Sequence, residues 1–419
     1  MADLGVTYGG VELKNPIFAA AGPLGRTFEA LKRSIEAGCG AVCLKSSNAQ
    51  VEQETTPKPP AHVYPRPAHT FLGKHGLKDV MINWEGVPVD FTAEEERKMI
   101  ERIKPIADDH GCKIIANIHP DPLYAKDMDA FRRDIETVLS AGPDLIEFCT
   151  CPYHLRHQYT YPETVDYDRT EGKLLETYRV VMEVVDIPVI MKANGPVFYK
   201  SLQALRDIGV PNFHLTEGPA FYGTVVDIDK MEPVVPGSAV ITYGGHRRPM
   251  INLQCARTRA LGTNFDLMCS SGIWTKNDAI ERLMCGAQLV GIHTAIQLRG
   301  HKLFTKIIDG ISDWLDKKDL RLEDIVGKAV PRIVSQEAHD DFMAECDRTV
   351  DQIRPVVDED LCNGCAICAN CIHGGLEMNA NKKAVTYLDN CVRCGTCESI
   401  CPVDAITMQT DQIAQEATL

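Results

Sequence analysis

Short apolar runs recur over roughly the first 320 residues, and between most of them apolar side chains return every three or four positions. The runs are Pro16–Gly22, Ala41–Ser47, Lys113–His119, Leu145–Cys151, Pro188–Asn194, Asn212–Gly218, Asp266–Gly272 and Leu289–Ala295. The intervening stretches include FEALKRSIEAG, KDMDAFRRDIETVLSAG and KNDAIERLMCG, each closed by a glycine of the kind that ends helices. Strand-like runs separated by helices need a crossover at every step. That makes the strands parallel, and eight such units close into a (β/α)8 TIM barrel of the α/β class. The competing architecture is an open doubly wound sheet. No G-x-G-x-x-G follows the first run, so a dinucleotide fold would lack its fingerprint here.

Two connections are long. Residues 48–91, with Pro57, Pro59, Pro60, Pro65 and Pro67, follow the second run, and residues 219–249 follow the sixth. Both leave from the strand ends where barrels keep their active sites, so they are expected to be lids or binding loops. The expected organisation is a barrel over 1–320, a charged connector over 321–356, a small cysteine-rich domain over 357–410 and a tail over 411–419. Formal net charge is −14 with no basic stripe, which argues against nucleic acid and anionic membrane surfaces as partners. No uninterrupted apolar stretch is long enough to span a membrane. The opening MADLGVTYGG carries no basic run ahead of an apolar segment, so no signal peptide is expected and a cytoplasmic location is.

Of 17 cysteines, eight fall between Cys362 and Cys401. Without a secretory signal a disulfide framework is a poor reading, and metal ligation a good one. Cys391, Cys394, Cys397 and Cys401 follow C-x2-C-x2-C-x3-C-P. Cys362, Cys365, Cys368 and Cys371 follow it with one residue fewer before the fourth cysteine and no proline after it. Two such runs hold two 4Fe–4S clusters, each fourth cysteine crossing to the other cluster. One cluster is therefore assigned to Cys362, Cys365, Cys368 and Cys401, and the other to Cys391, Cys394, Cys397 and Cys371. Cys371 is the least secure ligand because of its short spacing, and zinc is the alternative metal. The domain is expected to be a small α+β ferredoxin-like unit. Clusters move single electrons and organic substrates exchange pairs, so a converter is needed, and flavin is the usual one.

The segments LKNPIFAAAG, LKSS, VIMKANGP, YGG and CGAQLVGIHTAI resemble the FMN barrel of the dihydroorotate dehydrogenases. With the C-terminal domain, the arrangement is similar to the FMN and iron–sulfur part of dihydropyrimidine dehydrogenase and its bacterial cluster-bearing subunit. The resemblance implies that Ala20, Ala21 and Gly22 lie against the flavin ring, with Lys45 and Ser46 beside it. It implies that Lys192 meets the N1–C2=O edge, where a cation stabilises the reduced cofactor's negative charge. Thr216 is placed near the cofactor. Gly244, Gly245, Ser271, Gly272, His293 and Thr294 would supply the phosphate site, with His293 a bulky departure from the family. The family's acid–base residue, the cysteine or serine before proline after the fourth strand, corresponds to Cys151, while Cys149 reads as a packed thiol.

On the substrate side, Asn83 matches a binding asparagine of the family, within a stretch that includes Glu85 and Gly86. Three other asparagines that read a pyrimidine ring are missing. Phe148 and Tyr153 flank the positions of two, and Thr216 or Glu217 replaces the third. A ring whose N–H and C=O groups find no partners is strongly disfavoured. The expected activity is therefore that of an FMN and iron–sulfur oxidoreductase acting on a C–C bond conjugated to a carbonyl in a small non-pyrimidine compound. Its expected setting is anaerobic, in a homo- or hetero-oligomer. Electrons would pass to or from a ferredoxin or a separate NAD(P)H-oxidising flavoprotein. The alternatives are a true dihydropyrimidine or dihydroorotate dehydrogenase subunit and an electron-transfer subunit of a larger complex. The adjacent Arg247 and Arg248 could bind a substrate carboxylate or phosphate.

Overall fold

The computed structural model describes residues 2–47, 62–64, 80–84, 91–119, 128–149, 167–193, 202–215, 226–227, 230–233, 240–262, 264–349 and 352–410. Eight parallel strands close into a barrel: β1 Ile17–Ala19, β2 Ala41–Cys43, β3 Lys113–Ile118, β4 Leu145–Cys149, β5 Val189–Ala193, β6 Asn212–Leu215, β7 Asp266–Ser270 and β8 Leu289–Ile292. Each strand lies inside one of the eight apolar runs. Pairing runs in chain order around the barrel, and β8 closes onto β1.

Helices return the chain between strands. They include α1 Phe28–Glu36, α2 Ala93–Asp109, α3 Met128–Leu139, α4 Tyr167–Val184, α5 Arg248–Ala260, α6 Lys276–Met284, α7 Thr294–Arg299 and α8 Lys302–Lys318. The local chemistry explains where several begin. Thr92 and Glu95 form a reciprocal capping box on α2, and Thr275 and Asp278 do the same on α6. Leu31 and Ile35 of α1, Ile100 and Ile103 of α2, and Phe131 and Ile135 of α3 form one apolar face, buried against the outward side chains of the strands.

The inside of the barrel is a second core. Phe18, Ile115, Leu145, Ile190, Met268 and Leu289 fill it. It is closed below by an N-terminal hairpin, Val6–Tyr8 with Val11–Leu13, whose buried Tyr8 donates its hydroxyl proton to Phe213 O at 3.0 Å. Gly291 is fixed by this packing. A Cβ there would stand 2.6 Å from Phe18 Cζ and 2.8 Å from Ser270 Cβ.

The two long connections meet. Val240–Gly244, from the loop after β6, pairs antiparallel with Val80–Trp84, from the loop after β2, which in turn pairs with His62–Tyr64. Asn83 lies opposite Ile241 in this register.

The first compact unit runs to Val334, beyond the expected limit at residue 320. The added segment is held by backbone bonds from Gly327 N to Leu283 O at 2.9 Å and from Ala329 N to Met284 O at 3.0 Å. The second unit takes in Ser335 onward. It opens with helix Gln336–Thr349, and the strand Ile353–Val357 then pairs antiparallel with Ile406–Thr410. The cysteine-rich fold therefore starts a few residues before 357. Its remaining hairpin is Leu376–Met378 with Ala384–Thr386.

Candidate active site

In a parallel barrel, alternate side chains of each strand point inward, and the layer nearest the strands' C-terminal ends faces the catalytic side. That layer here is polar. Cys43, Asn117, Glu147, Lys192, His214 and Ser270 come from six successive strands, β2 to β7, and all are buried. Glu147 is the hub. It accepts from Asn117 Nδ2 at 2.6 Å, pairs with Lys192 Nζ at 3.2 Å and bonds His214 Nδ1. Asn117 also reaches Cys43 Sγ at 3.5 Å, and His214 Nε2 lies 2.9 Å from Ser270 Oγ.

The charges in this layer follow from burial and pairing. Burial alone would raise the Glu147 carboxyl, but the Lys192 charge and the hydrogen bonds from His214 and Lys192 outweigh it and hold the group below the usual carboxylate range. Burial pulls His214 below its ordinary value against the opposing pull of Glu147. The imidazole is thus neutral, its Nδ1–H donating to Glu147 and its Nε2 accepting from the Ser270 hydroxyl. Glu147 and Lys192 form the buried ion pair. Removing one partner of such a pair strands the other charge at a cost of about 3–5 kcal/mol, so the pair is a strong constraint on both side chains.

Glu147, Asn117, His214 and Ser270 were not expected from sequence. The available signal was the alternation itself, since each sits at the inward register of an otherwise apolar run. Behind β3, the buried Glu96 of α2 accepts from Asn117 N at 2.7 Å. Burial raises that carboxyl to about 8, which keeps it neutral near pH 7.

At the mouth, Ala20 continues β1 by donating its N–H to Ile292 O at 3.1 Å. Gly22 (φ +152°) follows, and a Cβ on it would fall 2.3 Å from His293 Nε2. That nitrogen is buried and has no hydrogen-bond partner among the described residues. Burial, with Lys45 and Lys192 adding to it, lowers His293 to about 3, so its imidazole is neutral and open to an acceptor or donor. Lys45 follows β2, tied by its N–H to Gly25 O at 3.1 Å, and Ser46 beside it is buried.

After β7, Ser271 and Gly272 take left-handed φ values of 82° and 77°. The fully buried Arg282 fixes this turn by donating to Ser270 O at 2.8 Å and Ser271 O at 3.0 Å. Thr294 opens α7 directly after His293. The expected cofactor residues Ala20, Ala21, Gly22, Lys45, Ser46, Lys192, Ser271, Gly272, His293 and Thr294 therefore all stand at strand C-termini on one face of the barrel. Gly244 and Gly245 end the strand Val240–Gly244 and enter a short 3-10 turn.

Two expectations need correction. Phe148 does not face the substrate side. With Glu147 turned inward, its neighbour points out, where it is fully buried and packs edge-on against Phe131 and Tyr178 at 6.1 Å each. Arg248 is not available for a substrate anion, because it pairs with Asp278 and, at 3.3 Å, with Glu281. Arg247 is buried. Cys149 is a buried thiol in register with Lys192. Cys151, Tyr153, Glu85, Gly86, Thr216 and Glu217 lie outside the described residues, and for Asn83 only the backbone is described.

In the second unit, Cys362, Cys365, Cys368 and Cys401 line one cavity with Ile367, Ala384 and Ile406. Cys401 thus joins the three cysteines of the other run. The Cys368 thiol is raised by burial and by the nearby Cys362, Cys365 and Cys401, and Cys397 is raised to about 11 by burial, Cys391 and Cys394. The two runs repeat one another. Gly364 and Arg393, Ala366 and Gly395, and Gly374 and Asp404 occupy matching positions, all with positive φ. Gly375 N donates to Cys371 Sγ at 3.4 Å, as Ala405 N does to Cys401 Sγ at 3.2 Å.

Cys371 therefore takes the place in its run that Cys401 takes in the other. The missing residue is absorbed by the preceding turn, which is a four-residue 3-10 helix, Ile367–Asn370, where the second run has a five-residue α-helix, Thr396–Ile400. A 3-10 turn completes in fewer residues than an α turn, so the fourth thiol still arrives on the same side.

The family model described as dihydroorotate dehydrogenase matches residues 247–315, and that of a 4Fe-4S binding domain matches 384–407. The chain is 29% identical over 329 residues to the dihydroorotate dehydrogenase B (NAD(+)) catalytic subunit of Methanocaldococcus jannaschii, a match covering 76% of this chain and 96% of that one. It is 26% identical over 428 residues to the NAD-dependent dihydropyrimidine dehydrogenase subunit PreA of Escherichia coli K12, a match covering 97% and 95%. A solved dihydroorotate dehydrogenase from Eimeria tenella, in complex with ferulenol, shares the fold. Its TM-score is 0.60 at 15% identity, over 78% of this chain and 88% of that one. The chain is an oxidoreductase of the CH–CH class, related to the dihydroorotate and dihydropyrimidine dehydrogenases and carrying a 4Fe–4S ferredoxin domain at its C-terminal end.

Proposed function

We propose that the chain binds FMN in the barrel and two 4Fe–4S clusters in the second unit. With them it reduces or oxidises a C–C bond conjugated to a carbonyl in a small, non-pyrimidine substrate. The observation that carries this reading is the buried Lys192 held as a cation at the barrel mouth, in a chain whose cysteine runs are arranged for clusters. The residues present suit FMN. Lys45, Lys192, the open His293 nitrogen and the Ser271–Gly272 turn form a cationic, donor-rich rim. FMN bound there would exchange electron pairs with carbon and single electrons with clusters. Lys192 would stabilise negative charge, and Cys151 would hold or deliver the proton on the substrate's other face.

The non-pyrimidine reading rests on amides rather than aromatics. Asn117, the asparagine in the upper layer, commits its side-chain N–H groups to Glu147 and Cys43. By the resemblance, Asn83 is the asparagine of the family's substrate-binding set that this sequence keeps. An external carrier, ferredoxin or a separate flavoprotein handling NAD(P)H, completes the circuit in the cytoplasm. The Escherichia coli relative is itself named as a subunit of an NAD-dependent enzyme, which supports the separate flavoprotein. The names of the relatives also favour a second reading, a pyrimidine or dihydroorotate dehydrogenase.

Anaerobic reoxidation of the reduced enzyme by a panel of unsaturated carbonyl compounds tests the proposal. The expected result is rapid flavin reoxidation by a non-pyrimidine member of the panel. Rapid reoxidation by uracil or orotate would establish the second reading instead, and silence across the panel would contradict catalysis at this site.

A further inference from the structure

Lys192 sits in an unfavourable place for a positive charge. It is only 9% exposed, and the cationic Lys45 acts on the same pocket. Burial and a like charge both favour the neutral amine. Among the described residues, the groups around it are Glu147 and Cys149 on β4, His214 on β6, Cys43 on β2, and Lys45 and His293 at the mouth. Among these, His214 and His293 are neutral, and burial with the Glu147 charge holds the Cys43 thiol protonated. Glu147 is the carboxylate of the set. Both of its oxygens are tied: Asn117 bonds Oε1, the oxygen that also meets Lys192, while His214 bonds Oε2 and is in turn braced by Ser270.

We infer that Glu147 is the internal counter-ion that keeps Lys192 charged and turned into the barrel mouth, so that the electrostatics offered to the cofactor are set from the strand beside it. Glu147 is a positioning residue: it acts through Lys192 and is walled off below it. The inference rests on the proposed FMN reading.

With Lys192 charged throughout, reduction of the bound cofactor takes up two electrons and one proton, the lysine keeping its own. Without Glu147, Lys192 is a neutral amine while the cofactor is oxidised. It then gains a proton when negative charge arrives on reduction, so two protons accompany two electrons. The test is a spectroelectrochemical titration of the flavin in the holoenzyme over roughly pH 7 to 9, between the ordinary histidine and lysine values. The wild type is expected to follow the one-proton slope, E147Q a slope twice as steep, and E147D the wild-type slope. An unchanged slope in E147Q overturns the inference. Should that variant fail to fold or to hold flavin, the wild type decides alone: a two-proton slope there would mean that Lys192 is not kept charged. Wild-type protein that binds no flavin would refute the proposed function itself, and the inference with it.

Discussion

The Cys151→Ala variant is expected to lose steady-state turnover by on the order of a hundred- to ten-thousandfold, the usual contribution of a positioned acid or base. Its flavin content and cluster spectra should stay at wild-type levels. The residue follows β4 by two positions, and β4 ends at Cys149 in register with Lys192, so the loop leaves the barrel at the mouth. Hydride exchange with a flavin requires a proton to arrive at, or leave, the neighbouring carbon. A thiol with an ordinary pKa of about 8.5 is mostly protonated near neutrality and suits donation in the reductive direction. Pro152 directly after it matches the pattern of the dihydroorotate dehydrogenases that the sequence resembles. Near-full activity in Cys151→Ala would remove the assignment, and so would a dead Cys149→Ala variant.

Loss of Cys401 is expected to remove the cluster proposed for Cys362, Cys365 and Cys368, although Cys401 follows Cys397 in sequence. The cavity lined by those four residues is the reason. Single variants cannot distinguish crossed from uncrossed ligation by iron content, because each should lose about half the iron. A double variant can. Cys362→Ala/Cys401→Ala damages one cluster twice if ligation is crossed and should retain about four irons per chain. If each run served its own cluster, the same protein would lose nearly all of its iron.

The barrel was legible because each strand is a compact apolar run between helices whose faces repeat every three or four residues. Its polar layer was not. A lone Glu147 or His214 inside an apolar run looks like an interruption until the period of two is applied to every strand at once. The same omission misplaced Phe148. Once Glu147 is known to point inward, Phe148 must point outward, into the Phe131–Tyr178 layer. The proline-rich connection after β2 gave no strand pattern, yet its segment Val80–Trp84 pairs with one from the loop after β6. That partner is distant in sequence, and local pattern cannot reveal it. Counted in residues, the spacing puts Cys371 in doubt as a ligand. The 3-10 turn before it compensates the missing residue in the backbone, and the iron count tests whether the thiol ligates.

Quantifying acid-released flavin and iron in anaerobically purified protein tests the central claim most directly. The expected result is FMN, with no adenylate half, and about eight irons per chain, four for each cluster. FAD, or no flavin, would contradict the barrel site. About four irons would mean that one of the two cysteine sets fails to hold a cluster.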